Sequence, residues 1–303
     1  MSMTVIGPNS PVLEVKSLRQ SWQKLAGPLV LLGPSGLWLI FLLVIPTLMI
    51  LNLSLVPGLR PGEPAGAYGL GNYIQIFEPI YLKVMGRSLL FALETTLICL
   101  IVGFPVAYWI ALMAPKQWQN LLLITFILPC WTSTLLRAYA WITILRPTGI
   151  LNSTLSALNL PTQDILNSPA AVLVGLSYNF LPYMVLILYS SLEKLDQRLL
   201  EAAADLGATP QQTFWQVTVP QTSTGIAAGC LLVFITSLGD FVVPELLGGA
   251  SSLTITRLIY NQFLGITRNW GFGSSLSIVL ILAVSISIAL LLKYGDKDPE
   301  TYS

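Results

Sequence analysis

The sequence predicts an α-helical protein that crosses a membrane six times. Of its 303 residues, 54% are hydrophobic and only 10% are charged, with a mean hydropathy of +0.73, whereas soluble domains carry about 25% charged residues. Apolar runs recur along the whole chain, and each is long enough for a hydrocarbon core, which takes about 20 residues. Within lipid, backbone amides are satisfied inside one helix or in a closed barrel, and these runs are too long for barrel strands. The composition therefore predicts membrane helices and excludes an ordinary soluble enzyme.

Six apolar runs define the predicted spans. The first run lacks a short apolar core followed by a small-residue cleavage site, so we interpret it as a retained span and not as a signal peptide. Later runs contain prolines, which kink helices and are tolerated where neighbouring helices or a water-lined cavity satisfy the backbone. In chain order the spans are predicted at residues 29–53, 88–113, 120–145, 170–192, 222–247 and 274–292.

The remaining composition gives no support to several classes of function. The net charge is +1 and no long charged tail is present, so a nucleic-acid partner is not indicated. Histidine is absent, and Cys99, Cys130 and Cys230 stand singly in apolar runs. Neither a metal site nor a redox pair is therefore predicted. We interpret the cysteines as small buried packing residues and expect no cofactor.

An even number of spans places both termini on the same side of the membrane. Lysine and arginine are slightly more numerous on that side, which weakly favours the cytoplasm. The predicted domains are a cytoplasmic N-terminal segment (residues 1–28), a membrane domain (residues 29–292) and a cytoplasmic tail (residues 293–303).

The connection between the fourth and fifth spans, residues 193–220, has a helical pattern of its own. From Leu195 to Leu206, apolar and charged residues each recur at spacings of three and four, which predicts a short amphipathic helix. A plain solvated connector is the alternative. The connection is much longer than the 2 to 8 residues, roughly, that join most helices, so we favour a projecting structure on which another protein docks.

Turn and cap residues divide this connection in two. Gly207 suits the left-handed residue that closes a helix. Thr209, Pro210 and Gln212 follow with the pattern of a hydroxyl N-cap, a first-turn proline and a capping box. We expect the second helix to end before Pro220, because proline disrupts a helix interior.

Residues 201–220 carry a specific motif. Glu201-Ala202-Ala203 is followed after three residues by Gly207 and, after nine more, by Val217-Thr218-Val219-Pro220. This spacing resembles the EAA loop of permease subunits of binding-protein-dependent ABC importers, with valine where that loop has isoleucine and leucine. The resemblance covers nearly the whole chain. It implies the six-span type I importer fold in a bacterial inner membrane, with both termini in the cytoplasm.

The resemblance also implies that residues 193–220 couple this chain to an ATPase, so we refer to them as the coupling loop. The implied partners are a dimer of ATPase subunits, a second homologous permease subunit and an extracytoplasmic binding protein. The chain contains no G-x-x-x-x-G-K-[ST] phosphate loop, so a transporter subunit is predicted and not an enzyme, with ATP used by the partner. The positions implied in coupling are Glu201, Ala202, Ala203, Asp205 and Gly207.

Four charged residues fall within or beside predicted spans, where a charge at the bilayer centre costs about 2.5 to 3.5 kcal/mol. Asp240 and Glu245 lie close together in the fifth span, and two carboxylates in an apolar cavity favour a cationic substrate. The alternative is an internal ion pair, for example between Arg137 and Asp240. Glu94 lies early in the second predicted span, where its side chain could reach the interface.

Two longer stretches indicate a substrate class. Residues 128–141 with 149–152, and residues 239–249 with 269–273, resemble the third and fifth spans of spermidine/putrescine permeases, which implies polyamine import. Aromatic rings attract ammonium groups, although they also pack helices and form interfacial belts. Two alternatives stay open: the same machinery importing another solute such as ferric iron or a phosphonate, or an ATP-independent channel or secondary transporter. The aromatic candidates for the substrate pathway are Trp131, Tyr139, Trp141 and Tyr178.

Overall fold

The computed structural model describes residues 11–64, 66–265 and 268–295. All regular secondary structure in these ranges is helical, which confirms the predicted fold class. The chain divides into two compact units at Leu53. The predicted cytoplasmic segments lie partly outside the described residues, at residues 1–10 and 296–303.

The first unit is built from one long helix, α1 (Pro11–Ser54). Its last part, Gly33–Ser54, is apolar over 22 residues, which is enough to cross a hydrocarbon core. The predicted span at residues 29–53 therefore falls inside one continuous helix, and that helix also includes much of the predicted N-terminal segment.

The second unit contains the other described helices. Its longest members are α3, α14 and α7, and most of the others are short. Two π-helical turns, Trp109–Met113 and Phe214–Thr218, follow α3 and α9. In chain order the helices are α2 (Gly71–Ile76), α3 (Pro79–Tyr108), α4 (Lys116–Ile127), α5 (Thr134–Leu145), α6 (Ile150–Ala157), α7 (Pro169–Leu192), α8 (Gln197–Asp205), α9 (Pro210–Thr213), α10 (Val219–Gln221), α11 (Ser223–Gly239), α12 (Val242–Leu247), α13 (Ile255–Leu264) and α14 (Trp270–Gly295).

Within the described residues, four helices are long and apolar enough to cross a membrane alone, and up to six spans result if each of two bent helix pairs forms one. The fourth and sixth predicted spans lie within α7 and α14. The second begins at Pro79 and not at residue 88. Pro79 occupies the first helical position, where its missing N–H is not needed, so the helix includes the polar residues before the apolar run.

The third predicted span is broken in its middle. The helix that begins at Lys116 ends in a 3-10 turn, Leu128–Trp131, and the following segment, Thr134–Ala157, leaves at about 90° to it. Thr132 is extended, and its N–H and hydroxyl both donate to the Pro129 carbonyl, at 3.2 and 2.7 Å. The break follows Pro129, one of the prolines expected to kink a span, and these local bonds replace the helical ones.

The fifth predicted span is also shorter than expected. Helix α11 ends at Gly239, and Asp240 has an extended backbone. The Asp240 carboxylate accepts hydrogen bonds from Val242 and Val243 N–H at 2.8 and 3.2 Å, so it caps α12. An interruption of this span was expected at Pro244, and the structure places it at Asp240 instead, because aspartate here starts a new helix.

The core of the second unit lies where α3, α7 and α11 pack together. Glycines allow the helices to approach closely: a Cβ atom on Gly103 would lie 3.2 Å from Met184, and one on Gly229 would lie 2.9 Å from the same side chain. Close backbone approach at small residues is the usual way in which membrane helices associate. This contact fixes α11, which carries the coupling loop at its start and Asp240 after its end.

Candidate coupling loop and candidate cation pathway

The first helix of the coupling loop is α8, which begins at Gln197. Asp196 is its N-cap and accepts a hydrogen bond from Arg198 N–H at 3.0 Å. The sequence pattern placed the start of this helix at Leu195, but Leu195 N–H bonds instead to the Leu192 carbonyl at 3.1 Å, in the turn that ends α7. Charged residues on α8 are exposed, including Glu201 and Asp205.

The turn after α8 has the predicted form. Gly207 has φ +82°, a left-handed conformation that costs other residues about 1 to 2 kcal/mol. Its N–H donates to the Ala204 carbonyl at 2.9 Å, and Ala208 N–H donates to Ala203 at 3.0 Å. Leu206, just before the glycine, is 89% exposed. The turn therefore presents an apolar side chain to its surroundings.

The second helix of the loop starts with the predicted capping box. Thr209 Oγ1 accepts from Gln212 N–H at 3.3 Å, and Gln212 Oε1 accepts from Thr209 N–H at 2.8 Å. The helix does not end before Pro220, however. The π turn Phe214–Thr218 leads directly into α10, where Pro220 lies in the first turn and its missing N–H needs no partner.

Both halves of the loop border an open cleft of about 520 Å³. Ala203 and Gly207 line it from the α8 side, whereas Glu201, Ala202 and Asp205 are exposed. Small side chains leave the floor of this cleft accessible. The α9 side is lined by Gln212, Thr213, Gln216 and Val217. The structure thus brings the motif alanine and glycine to one surface, with the motif glutamate exposed on the same helix.

An aromatic contact joins the loop to the membrane helices. The Phe214 ring packs edge-on against Phe104 and Tyr108 of α3, with centroid distances of 5.5 and 5.9 Å, and against Trp215 at 5.1 Å. Phe214 was not among the candidate residues predicted from the sequence. In the sequence, Phe214 is an aromatic residue about one turn after the Thr209 cap. The amphipathic pattern does not separate it from the other apolar residues of the loop.

The two acidic candidates of the fifth span have different surroundings. We refer to residues 239–249 as the acidic junction. The Oδ1 atom of Asp240 caps α12, as described above. Glu245 forms an ion pair with Arg257 of α13, and Arg257 Nη1 also donates to the carbonyls of Pro244 and Gly249 at 3.4 and 2.5 Å. Sequence reasoning missed Arg257, although it is a charge at the edge of an apolar segment.

Arg137 does not form the ion pair with Asp240 that we considered as an alternative. Among the described residues, the ion pair within 4.0 Å is that of Arg257 with Glu245. Arg137 Nη2 donates to Thr134 Oγ1 at 3.2 Å. The two residues nevertheless lie on neighbouring elements, because α5, which carries Arg137, packs against α12, which Asp240 caps.

The aromatic candidates fall into two groups. Trp141 and Tyr178 pack edge-on with a centroid distance of 5.5 Å, so they contribute to a helix contact. Trp131 is 86% exposed at the break of the third span, and Tyr139 is 56% exposed on α5. The structure therefore brings Trp141 and Tyr178 together and leaves the other two rings uncovered.

Glu94 lies deeper in its helix than the sequence indicated. Because the helical segment runs from Pro79 to Met113, Glu94 is near its middle and not early in the span. Its side chain is exposed, and it has no partner in the part of the chain that the structure describes.

Comparison with known proteins gives concordant results. The family model described as "Binding-protein-dependent transport system inner membrane component" matches residues 103–297. The spermidine/putrescine transport system permease protein PotB of Haemophilus influenzae is 44% identical over 247 residues, covering 80% of this chain and 85% of that protein. PotB of Escherichia coli is 42% identical over 246 residues, covering 80% of this chain and 88% of that protein.

A solved structure shares the fold. A chain of the bacterial alginate ABC transporter, determined in complex with an alginate pentasaccharide-bound periplasmic protein, matches with a TM-score of 0.73. The match covers 91% of this chain and 98% of that chain at 16% sequence identity. At this identity the likeness establishes the fold, and it agrees with the importer fold that the EAA spacing implied.

Proposed function

Because this chain belongs to the family of binding-protein-dependent transport system inner membrane components, we propose that it is a permease subunit of an ATP-driven polyamine importer. The observation that carries the substrate class is the 42 to 44% identity, over 80% of this chain, to permeases named for spermidine and putrescine. The chain then lies in a bacterial inner membrane, and both of its termini face the cytoplasm.

The permease works with partners that supply the cargo and the energy. A binding protein outside the membrane delivers the polyamine, and support comes from the related alginate transporter, whose structure includes a periplasmic protein. A second homologous permease subunit completes the pathway. Two ATPase subunits hydrolyse ATP, because this sequence has no phosphate loop of its own, so the chain itself uses no cofactor.

The coupling loop transmits ATPase movement to the membrane helices. The ATPase binds the cleft between α8 and α9, where Ala203 and Gly207 allow close approach, and Glu201 and Asp205 offer charges beside it. Movement passes along two routes. The first route is the ring contact of Phe214 with Phe104 and Tyr108 of α3. The second is the helical segment Pro210–Gln221, which continues into α11 through a bend of 68°.

Asp240 is the group that attracts the cationic cargo. The Glu245 charge is already balanced by Arg257, whereas Asp240 has no ion pair within 4.0 Å in the described residues. Exposed Trp131 and Tyr139 add aromatic faces, and a cation over such a ring gains about 0.5 to 2 kcal/mol. Trp141 and Tyr178 support the wall of the pathway by packing on each other.

Uptake into vesicles that contain the complete complex tests this function. Labelled spermidine is offered with binding protein and internal ATP, and unlabelled spermidine, putrescine, ferric ion or a phosphonate is added as competitor. We expect ATP-dependent uptake that either polyamine suppresses. Uptake without ATP would indicate a channel or secondary transporter, and suppression by ferric ion or phosphonate but by neither polyamine would assign a different cargo.

A further inference from the structure

Arg137 carries two hydrogen-bond donors that nothing in its surroundings uses. Its Nε and Nη1 atoms are buried and have no hydrogen-bond partner within residues 11–64, 66–265 and 268–295, although Nη2 donates to Thr134. A buried donor without an acceptor has lost its water without replacement, and for a charged group the cost is large. A nearby acceptor that engaged these two donors would therefore stabilise the site.

Asp240 offers the complementary group. Its Oδ1 atom is used by the cap of α12, whereas Oδ2 has no partner among the described residues. Arg137 lies near the start of α5, and α5 packs against α12, the helix that Asp240 caps. The other acid of this junction, Glu245, is held by Arg257. One free carboxylate oxygen and one incompletely bonded guanidinium thus belong to neighbouring helices without bonding to each other.

We infer that Arg137 competes with the transported ammonium group for Asp240. The guanidinium pairs with Asp240 Oδ2 when no polyamine is bound, and an arriving ammonium takes that oxygen and displaces Arg137. This inference rests on the proposed function, because it requires a cationic cargo and helices that move between states.

The exchange keeps the carboxylate balanced throughout transport. An uncompensated charge inside the membrane domain is strongly unfavourable, so a cargo that leaves Asp240 must be replaced by another cation. An arginine of the same chain provides that cation without drawing an ion from solution. Release of the polyamine is then favoured, because Arg137 binds the carboxylate as the ammonium departs.

A purely structural arginine would behave differently. If Arg137 only holds α5 in place, its removal would alter cargo binding by the same factor whether or not position 240 is charged. If it competes for Asp240, its removal matters only while the carboxylate is present. The two variants together therefore separate the roles, as in a double-mutant cycle.

Binding of labelled spermidine to the complete transporter in lipid nanodiscs measures this coupling. We expect Arg137→Gln to lower the half-saturating spermidine concentration by about fivefold or more, since coupled sites typically differ by 5- to 150-fold. Asp240→Asn should raise it, and Arg137→Gln/Asp240→Asn should match Asp240→Asn alone. Arg137→Lys keeps a competing cation and should stay within about twofold of the unmodified protein.

Arg146→Gln is the matched control, because Arg146 is an exposed arginine at the end of the same helix; it should leave binding unchanged. The amount of assembled complex is measured for each variant, and Arg137→Met serves as a second uncharged variant if the glutamine variant does not assemble. Equal effects of Arg137→Gln with and without the Asp240 charge, or no effect at all, would overturn the inference. If the unmodified complex neither binds nor imports spermidine, the proposed function itself fails.

Discussion

The coupling loop and the acidic junction both consist of short helices joined by tight turns, but different bonds hold them. In the loop, partners are close in sequence: Thr209 bonds to Gln212, and Ala208 N–H bonds to the Ala203 carbonyl. In the junction, Asp240 caps α12 locally, but other partners are distant. Asn167 N–H donates to the Leu247 carbonyl at 3.0 Å, and Glu245 pairs with Arg257 of α13.

This difference suits the two regions to different tasks. A loop held by its own caps keeps its shape when the helices around it move, so it can transmit force as a rigid body. Charges whose partners lie on other helices depend on how those helices are arranged. The acidic junction is therefore expected to change its ion pairing during transport, whereas the coupling loop is expected to move without changing.

Reversing the charge of Glu201 should have the largest effect and should separate docking from stability. We expect Glu201→Lys to reduce the ATPase that co-purifies with the permease by about tenfold or more, since disrupting a charge in an interface costs about 2 to 5 kcal/mol. The Tm of the isolated permease should not change, because Glu201 is exposed.

Glu63→Lys, which reverses an exposed glutamate outside the coupling loop, is the control and should leave ATPase association intact. Normal association of the Glu201→Lys protein would show that the glutamate is not part of the docking surface.

Removing Arg257 should destabilise the acidic junction. Arg257→Ala leaves the Glu245 carboxylate unpaired and removes a donor from two carbonyls. We expect a loss of about 2 to 3 kcal/mol, below the value for a fully buried pair because Glu245 is partly exposed. Thermal unfolding of the purified permease in detergent measures the loss. Adding Glu245→Gln should recover part of it, and exposed Arg60→Ala should have no effect; a full loss that persists in the double variant would argue against the pair.

A methyl group at Gly225 tests the contact of α11 with α7, where α11 is the helix that connects the coupling loop to the acidic junction. A Cβ atom there would collide with the Ser191 side chain, so Gly225→Ala should force α11 away from α7 and cost about 1 to 3 kcal/mol. Ser191→Gly should restore the Tm. Gly86→Ala is the control, because nothing lies within 4 Å of that position and alanine favours the helix; an unchanged Tm for Gly225→Ala would contradict the close contact.

The smallest expected effect concerns the cap of α9. Thr209→Ala removes one half of the capping box and should cost about 1 kcal/mol. Faster hydrogen exchange at the Gln212 amide would report it, while amides of the acidic junction should exchange as before. Thr209→Ser keeps the hydroxyl and should resemble the unmodified protein. Equal protection of Gln212 in the alanine variant would mean that tertiary contacts, and not the cap, hold the loop.

The sequence was most informative where structure depends on neighbouring residues. Gly207 and the Thr209 cap were placed correctly because turn and cap chemistry acts over a few positions. The pairing of Glu245 with Arg257 could not be derived in this way, because it depends on how α12 and α13 fold back on each other. Arg137 was considered as a partner for Asp240, and the structure instead leaves the two apart.

The span breaks show a second limit. Hydropathy measures whether a segment can stay in lipid. It contains almost no information about a change of helix direction within that segment. Pro129 was expected to kink its span, but neither the turn of 90° there nor the new helix start at Asp240 follows from hydropathy. The opposite error occurred at Pro220, where the rule against proline was sound but the π turn placed the residue in a first helical turn.

The π turn Phe214–Thr218 also sets a rotational phase. It holds one more residue per turn than an α-helix would, so it fixes the angle at which the docking cleft faces relative to α11. If the same five residues wound as an ordinary α-helix, everything before them would be turned by about 100°, the rotation of one residue. The loop would keep its caps and its charges but present them in the wrong direction, so a correctly folded permease would no longer bind its ATPase.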